Sequence, residues 1–275
     1  MFISTNGTLI TADIARILSK YKNAEVFVSI DGPNALYNLN RIHKDGTPMY
    51  PQIVQGIQNL QDAGVYTGIF MVATQQNSEN ITAVIQEIKH KFSPVIIGYN
   101  LPHWTKQWTN IVDDERYGQA LVKLYENKNI IDIPIIQLNW RLRPLIEGKV
   151  KIFSCGLHTT QRTMLPDGSI VRCLKIDKDP SLSYITDNYL DINCPIKLNQ
   201  DSKSQCYGCI AVGCCGGGCP FDGLKRYNTA IDRRECTITP VIVEKAIKNL
   251  IQSLEKNTNI DSGLLTPDFI KACIL

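Results

Sequence analysis

The first 154 residues contain no cysteine, which confines any thiol or thiolate chemistry to the remainder of the chain. Long apolar runs are lacking too. Even IIDIPIIQL (130–138) is broken by Asp132 and Pro134, so the sequence shows no transmembrane helix. A dominant charge is missing: the formal net charge of +3 is too weak to point to nucleic acid or a membrane surface. The start, MFISTNGTLI, lacks the basic region and long apolar run of a signal peptide. There is no internal repeat and no low-complexity segment. These absences predict a cytoplasmic protein, and reducing cytosol turns cysteines toward metal or catalysis rather than disulfides.

What is present is ordinary for a folded domain, with 44% hydrophobic and 20% charged residues. The length allows one large domain or two modest ones. VFVSI (26–30), YTGIFMV (66–72), PVIIG (94–98) and the brief FIST (2–5) read as short strands bounded by turn residues. Amphipathic helices alternate with them. Thr11 is a candidate N-cap for a stripe of Ile14, Ile17, Leu18 and Tyr21. Ile53, Val54, Ile57 and Leu60 form a second stripe, closed by Gly64. Ile81, Val84, Ile85 and Ile88 form a third, and Ala120, Leu121, Leu124 and Tyr125 a fourth. Nearly apolar strands alternating with helices predict an α/β fold with a parallel sheet. The stripes read as core packing and carry no chemistry.

The rhythm changes around RLRPLIEGKVKIF (141–153), which puts a boundary near residue 148. Beyond it lie short, turn-rich segments carrying all ten cysteines. Near the end, Thr239 and Pro240 read as N-cap and N1 of a helix whose apolar face is Val243, Ile247, Leu250, Ile251 and Leu254.

The cysteines are spaced, not scattered. CYGCIAVGCCGGGCP (206–220) holds five of them and contains C-x2-C-x5-C-x3-C from Cys206, Cys209, Cys215 and Cys219. Upstream come Cys155, twelve residues, Gly168, four residues and Cys173; downstream stands Cys236. Seven thiols exceed one tetrahedral ion and suit two metal centres. A zinc ribbon offers two C-x2-C knuckles, and only Cys206/Cys209 has that shape. Iron–sulfur clusters fit better, because flanking glycines let backbone N–H groups approach the sulfides.

C-x9–15-G-x4-C, then C-x2-C-x5-C-x3-C, then a distal cysteine resembles the SPASM domain of radical S-adenosylmethionine enzymes that modify peptides and proteins. ISTNGTLIT (3–11) resembles that family's strand ending in T-N-G-T-L-L. VSIDGPNALYNLNRIHKDGTPMY (28–50) resembles its S-L-D-G-P stretch, N-R pair and glycine turn. The resemblance runs from residue 2 to about residue 240. It implies a partial (β/α)6 barrel over 1–148, a SPASM domain with two auxiliary [4Fe–4S] clusters over 149–240, and a C-terminal helical segment over 241–275. Cys206, Cys209, Cys215 and Cys236 would hold one cluster; Cys155, Cys173 and Cys219 would hold the other. Ser29 and Asp31 would approach the adenosyl ribose and Arg41 the methionine carboxylate, with Thr5 and Asn6 at the neighbouring strand end. Read without the family, Asp31-Gly32-Pro33 is also a good turn and Arg41 a surface ion pair.

Departures from the pattern matter equally. The C-x3-C-x2-C loop that binds the catalytic cluster is absent, as is the G-G-E-P segment. The chain therefore reads as N-terminally incomplete, beginning at the third barrel strand without two βα units. The family is enzymatic, but these residues alone are expected to be inactive; S-adenosylmethionine and a third [4Fe–4S] cluster would require the missing part. Expected partners are a peptide or protein substrate, an electron donor and a companion chain completing the barrel. Leu174 follows Cys173 where sulfatase-maturating relatives carry aspartate, which argues against that substrate class. No cysteine lies in 146–154, so the Cys155 centre has an open iron or borrows Cys194, Cys214 or His158, although His158 alone reads as an ordinary polar residue. The rival readings are a non-catalytic Fe–S electron-transfer or peptide-docking module and a zinc-stapled interaction protein.

Overall fold

The computed structural model describes residues 1–103, 112–151, 154–156, 162–171, 173–177, 179 and 206–256. The chain divides into two compact units, one of Met1–Trp140 and one beginning at Arg141. Among the described residues no helix is long and apolar enough to cross a membrane.

The first unit is built on four parallel strands in sequence order: β1 (Phe2–Thr5), β2 (Glu25–Ser29), β3 (Tyr66–Val72) and β4 (Ile97–Asn100). Parallel neighbours need crossovers, and helices supply them. α1 (Ala12–Ser19) joins β1 to β2, and α2 (Tyr50–Asp62) lies between β2 and β3. α3 (Gln75–Glu79) and α4 (Ile81–Phe92) lie between β3 and β4. Thr11 caps α1 through its hydroxyl, which accepts from Ile14 N at 3.3 Å. The fourth expected stripe lies on α5 (Asp114–Glu126), capped by Asp113. β4 differs from the expected PVIIG. Ser93, left-handed at φ 40°, ends α4, and residues 94–96 carry the chain to the sheet before the pairing of Ile97 with Ile69 begins.

Alternation divides the strand residues between two faces. Val26, Val28, Ile30, Ile69, Met71, Ile97 and Tyr99 are fully buried on one face. Ile53, Ile57, Leu60, Ile85 and Ile88 of α2 and α4 are fully buried as well and complete this core. Each such side chain removed from water contributes about 1.5–3 kcal/mol. α2 approaches the β1–α1 turn closely: a Cβ on Gly56 would lie 2.1 Å from the Gly7 carbonyl oxygen, and Gly7 itself is at φ +80°. On the other face Phe2, Phe27 and Phe70 lie side by side, with ring centroids 4.8 Å apart for Phe2–Phe27 and 4.6 Å for Phe27–Phe70. Phe27 lies over Gly68 and Phe70 over Gly98, where a Cβ would meet the rings at 2.5 and 2.3 Å.

In the second unit, β5 (Thr163–Met164) and β6 (Ile170–Val171) form a two-residue antiparallel hairpin. Gly168, at φ +85°, closes its turn. The short helix α6 (Leu174–Asp177) follows, then a helical turn Val212–Cys215 and helices Pro220–Tyr227 and Arg234–Lys256. The last begins before Thr239, not at it. Asp232 Oδ1 accepts from Arg234 N at 3.2 Å and starts the helix there, while the Thr239 hydroxyl is engaged with Glu235 and Arg141. Pro240 consequently lies inside the helix.

Candidate functional site

Two places gather the polar and thiol groups, one in each unit. A parallel sheet brings the carboxyl ends of its strands to one edge, where open α/β folds bind ligands. Thr5, Asn6, Ser29 and Asp31 all lie there. The Thr5 hydroxyl accepts from Gly7 N at 3.1 Å, and Asn6 Oδ1 accepts from Thr8 N and Thr8 Oγ1 at 3.2 and 3.0 Å. Both side chains thus turn the chain out of β1. Ser29 is the half-buried last residue of β2, in register with Phe70.

Asp31 is fully buried. Its Oδ1 accepts from Arg41 Nη2 at 2.6 Å and from Val72 N at 2.8 Å. Asn38 Oδ1 accepts from Asp31 N at 2.8 Å, and Asn77 Nδ2 donates to the Asp31 and Val72 carbonyls at 3.0 and 2.8 Å. The Asp-Gly-Pro segment is therefore more than a turn, and Arg41 forms a largely buried ion pair rather than a surface one. Burial raises the Asp31 pKa, against the opposing pull of Arg41 and the Val72 amide. Asp31 Oδ2 and Arg41 Nε are buried with no hydrogen-bond partner among the described residues. Sequence reasoning passed over Asn38 and Asn77; the T-x-x-N of Thr74–Asn77, which forms a reciprocal cap at α3, was the available signal.

In the second unit no disulfide joins the eight described cysteines. Gly216, Gly217 and Gly218 run consecutively at φ 66°, 82° and 74°, a path that only glycine follows without strain. It carries the chain from Cys215 to Cys219. The Cys215 thiol is pushed up to about 11, chiefly by burial and then by Glu235 and Cys236, while the Gly217 amide donates to its sulfur. Burial also raises Cys236, with Cys206 and Cys209 as its next strongest influences. Cys206, Cys209, Cys215 and Cys236 are thus electrostatic neighbours.

Cys219 stands apart from them. It is the N-cap residue of the Pro220–Tyr227 helix, whose first amides, at Phe221 and Asp222, act to lower its pKa. Burial and the Asp222 carboxylate push its thiol up to about 12. Lys175 lies over the Phe221 ring, and the ionisable groups acting on it are Asp222, Cys219 and Cys173. The Ser154 hydroxyl donates to the Gly218 carbonyl, so the residue before Cys155 is tied to the residue before Cys219. Cys214 is buried among Ala211 and Val243 in an apolar cluster that Cys209 and Cys215 pack against. Cys194 and His158 lie outside the described residues.

The donor set fits a soft cationic centre. Burial first, and neighbouring negative groups after it, oppose the ionisation of Cys215 and Cys236, a cost that a bound soft cation would offset. A charge network holds the scaffold: Arg234 Nη2 lies 3.0 Å from Asp222 Oδ2 and 2.6 Å from Asp232 Oδ2, all three residues being buried.

No known family profile matches the chain. It is 25% identical over 240 residues to the cysteine-type anaerobic sulfatase-maturating enzyme of Clostridium perfringens, covering 79% of this chain and 63% of that enzyme. It is 23% identical over 264 residues to the radical SAM cyclopropyl synthase TigE of Paramaledivibacter caminithermalis, covering 90% of this chain and 53% of TigE. The chain thus spans less than two thirds of either relative. Among solved structures, native anSMEcpe with bound AdoMet superposes with a TM-score of 0.71 at 20% identity, over 93% of this chain and 75% of that one. Streptococcus suis SuiB bound to S-adenosylmethionine superposes with a TM-score of 0.57 at 16% identity, over 85% and 59%. These likenesses establish a shared α/β fold.

Proposed function

For a chain related to radical S-adenosylmethionine maturases, we propose the role of a SPASM-type iron–sulfur protein that acts on a peptide or protein. The observation that carries this reading is the grouping of the thiols by their mutual influence: Cys236 acts on Cys215 and is acted on by Cys206 and Cys209, whereas Cys173 and Cys219 act on Lys175. The first group would hold one [4Fe–4S] cluster, and the second, with Cys155, another. The Gly217 amide donates to the Cys215 sulfur, a contact that would tune the potential of a bound cluster.

In this reading residues 1–148 are four βα units of a partial (β/α)6 barrel, 149–240 the auxiliary-cluster domain and 241–275 a helical appendage. The chemistry supplied by S-adenosylmethionine with its own cluster is hydrogen abstraction from the peptide, and that supplied by the auxiliary clusters is electron acceptance. The chain's own residues bind and orient. The unpartnered Asp31 Oδ2 and Arg41 Nε are the acceptor and donor that a ribose hydroxyl and a methionine carboxylate call for. Thr5, Asn6 and Ser29 line the same strand ends. Leu174, more than a third exposed after Cys173, offers no carboxylate, which favours a substrate other than a sulfatase. Free thiols favour the reducing cytosol and an electron donor there.

A second reading is a non-catalytic Fe–S electron-transfer or peptide-docking module, since no C-x3-C-x2-C lies within these 275 residues. Anaerobic reconstitution tests what both readings share. Two clusters require about eight irons per chain, and Cys206→Ala, Cys209→Ala or Cys236→Ala each removes about half. Stoichiometric zinc without iron uptake refutes both and leaves the zinc-stapled interaction protein.

A further inference from the structure

Cys206, Cys209 and Cys215 belong to one short run, so local chain geometry limits how far apart they can lie. Cys236 belongs to another element. It stands in the first turn of the Arg234–Lys256 helix, and only tertiary contact can place it beside the others.

That contact is a buried clamp on the residue before it. Arg141 of the Ile136–Glu147 helix, 3% exposed, donates from Nη2 to Glu235 Oε1 at 2.7 Å and from Nε to Glu235 Oε2 at 3.2 Å. Arg141 Nε also donates to Thr239 Oγ1 at 3.1 Å, and that hydroxyl donates to Glu235 Oε2 at 2.5 Å. Gly218 leaves room for the acidic side chain: a Cβ there would lie 2.8 Å from Glu235 Cγ. A two-pronged contact of this kind carries geometric specificity as well as energy.

Glu235, Thr239, Val243 and Ile247 recur at every fourth position and so lie in one line along the helix. The last two are apolar. Val243 is buried with Ala211 and Cys214, and Leu145, Cys209, Cys215 and Ile247 pack against that cluster. Apolar contact is non-directional and holds the helix close without fixing its register. The hydrogen-bonded pair, Glu235 and Thr239, fixes it. Cys236 lies one residue on from Glu235, about 100° around the helix, so locking Glu235 decides which way Cys236 faces. After burial, Cys206 and Cys209 are the strongest influences on it.

We propose that Arg141 is a positioning residue for the fourth cluster ligand: its fork on Glu235 and Thr239 sets the register of the Arg234–Lys256 helix so that Cys236 meets Cys206, Cys209 and Cys215 before iron arrives. The proposal rests on the cluster reading above for its purpose, whereas the placement belongs to the metal-free chain. A site assembled in advance requires no movement of the helix when the cluster enters.

The test uses the full chain carrying Cys173→Ala, in which the four-cysteine cluster alone is expected. The metal-free protein is oxidised with diamide, which accepts two electrons and two protons for each disulfide formed, and the bonds are mapped by mass spectrometry. Cys206–Cys209 serves as internal reference for the share of Cys236 bonded to Cys206, Cys209 or Cys215. Arg141→Met with Glu235→Leu removes both charges and keeps apolar bulk, so its urea midpoint should equal or exceed the parent's. Its Cys236 share nonetheless falls about tenfold or more, because disulfide formation tolerates little misplacement. Arg141→Lys, which keeps the charge but gives up the fork, lowers the share about threefold or more. After anaerobic reconstitution with ferrous iron and sulfide, the double variant shows the iron content and the reduced-state electron paramagnetic resonance spectrum of Cys236→Ala, not those of the parent.

An unchanged Cys236 share in the double variant overturns the proposal, as does a parent in which Cys236 forms no such disulfide. Arg141→Lys matching the parent also overturns it, because the fork is then not the cause. If the double variant does not fold, Arg141→Lys alone decides. A parent that takes up no iron fails the cluster reading, whatever the thiols do; a Cys236 indifferent to Arg141 fails the proposal, whatever the iron does.

Discussion

Replacing Arg41 with methionine keeps the volume of the side chain but removes the cation 2.6 Å from a fully buried carboxylate. Asp31 then has two ways to respond: remain ionised without its partner, or take up a proton. The second sets a ceiling on the damage. Starting from an ordinary value of 3.8, neutralising the carboxyl at pH 7 costs at most about 4 kcal/mol, at 1.36 kcal/mol per pH unit. At pH 5 the same ceiling falls to about 2 kcal/mol. The folded protein with a raised Asp31 pKa binds more protons than the unfolded chain between 3.8 and the raised value, so stability falls as pH rises through that window. The deficit of Arg41→Met should therefore be larger at pH 7 than at pH 5. Wild type should show the same slope more weakly, since its Asp31 is raised too but opposed by Arg41. Urea unfolding of the full chain, followed by circular dichroism across this range, measures it. Asp31→Asn combined with Arg41→Met should recover much of the loss at pH 7, because no buried charge remains. A deficit independent of pH, or absence of rescue in the double variant, would show that the ion pair does not govern the site.

Three further outcomes are expected. Gly56→Ala places a Cβ 2.1 Å from the Gly7 carbonyl oxygen, so α2 must move from the β1–α1 turn at a cost of about 1–3 kcal/mol or more; an unchanged melting temperature contradicts this. Arg234→Met leaves Asp222 and Asp232 buried without their shared cation and should cost about 3–5 kcal/mol in urea unfolding, whereas Lys248→Met, in an exposed pair with Glu244, should cost less than about 1 kcal/mol. The purified chain, lacking C-x3-C-x2-C, should release no 5′-deoxyadenosine from S-adenosylmethionine under dithionite, and chromatographic detection of that product means the catalytic iron has been misassigned.

The elements of the first unit were readable because their causes are local. Apolar runs such as YTGIFMV and stripes such as Ile81, Val84, Ile85 and Ile88 announce strand and helix from spacing alone, and the parallel sheet follows from their alternation. The cysteine spacing is equally local, since C-x2-C-x5-C-x3-C can be counted along the chain without any knowledge of the fold. Buried charges were not. Arg41 and Arg141 look like surface residues in the sequence, because their acidic partners, Asp31 and Glu235, lie ten and 94 residues away. The Arg234–Lys256 helix shows the same limit. Thr-Pro is a common start signal, but Asp232 starts the helix upstream, and only tertiary contacts with Arg141 assign the Thr239 hydroxyl its use.

The row of Phe2, Phe27 and Phe70 sets the headroom above its face of the sheet. Each inner ring reclines over the glycine of the next strand, Phe27 over Gly68 and Phe70 over Gly98, like overlapping roof tiles. The thickness of this layer is fixed by two missing methyl groups rather than by the rings. Alanine at either glycine would set a methyl against a ring, so a change in one strand would have to be absorbed by the aromatic side chain of its neighbour.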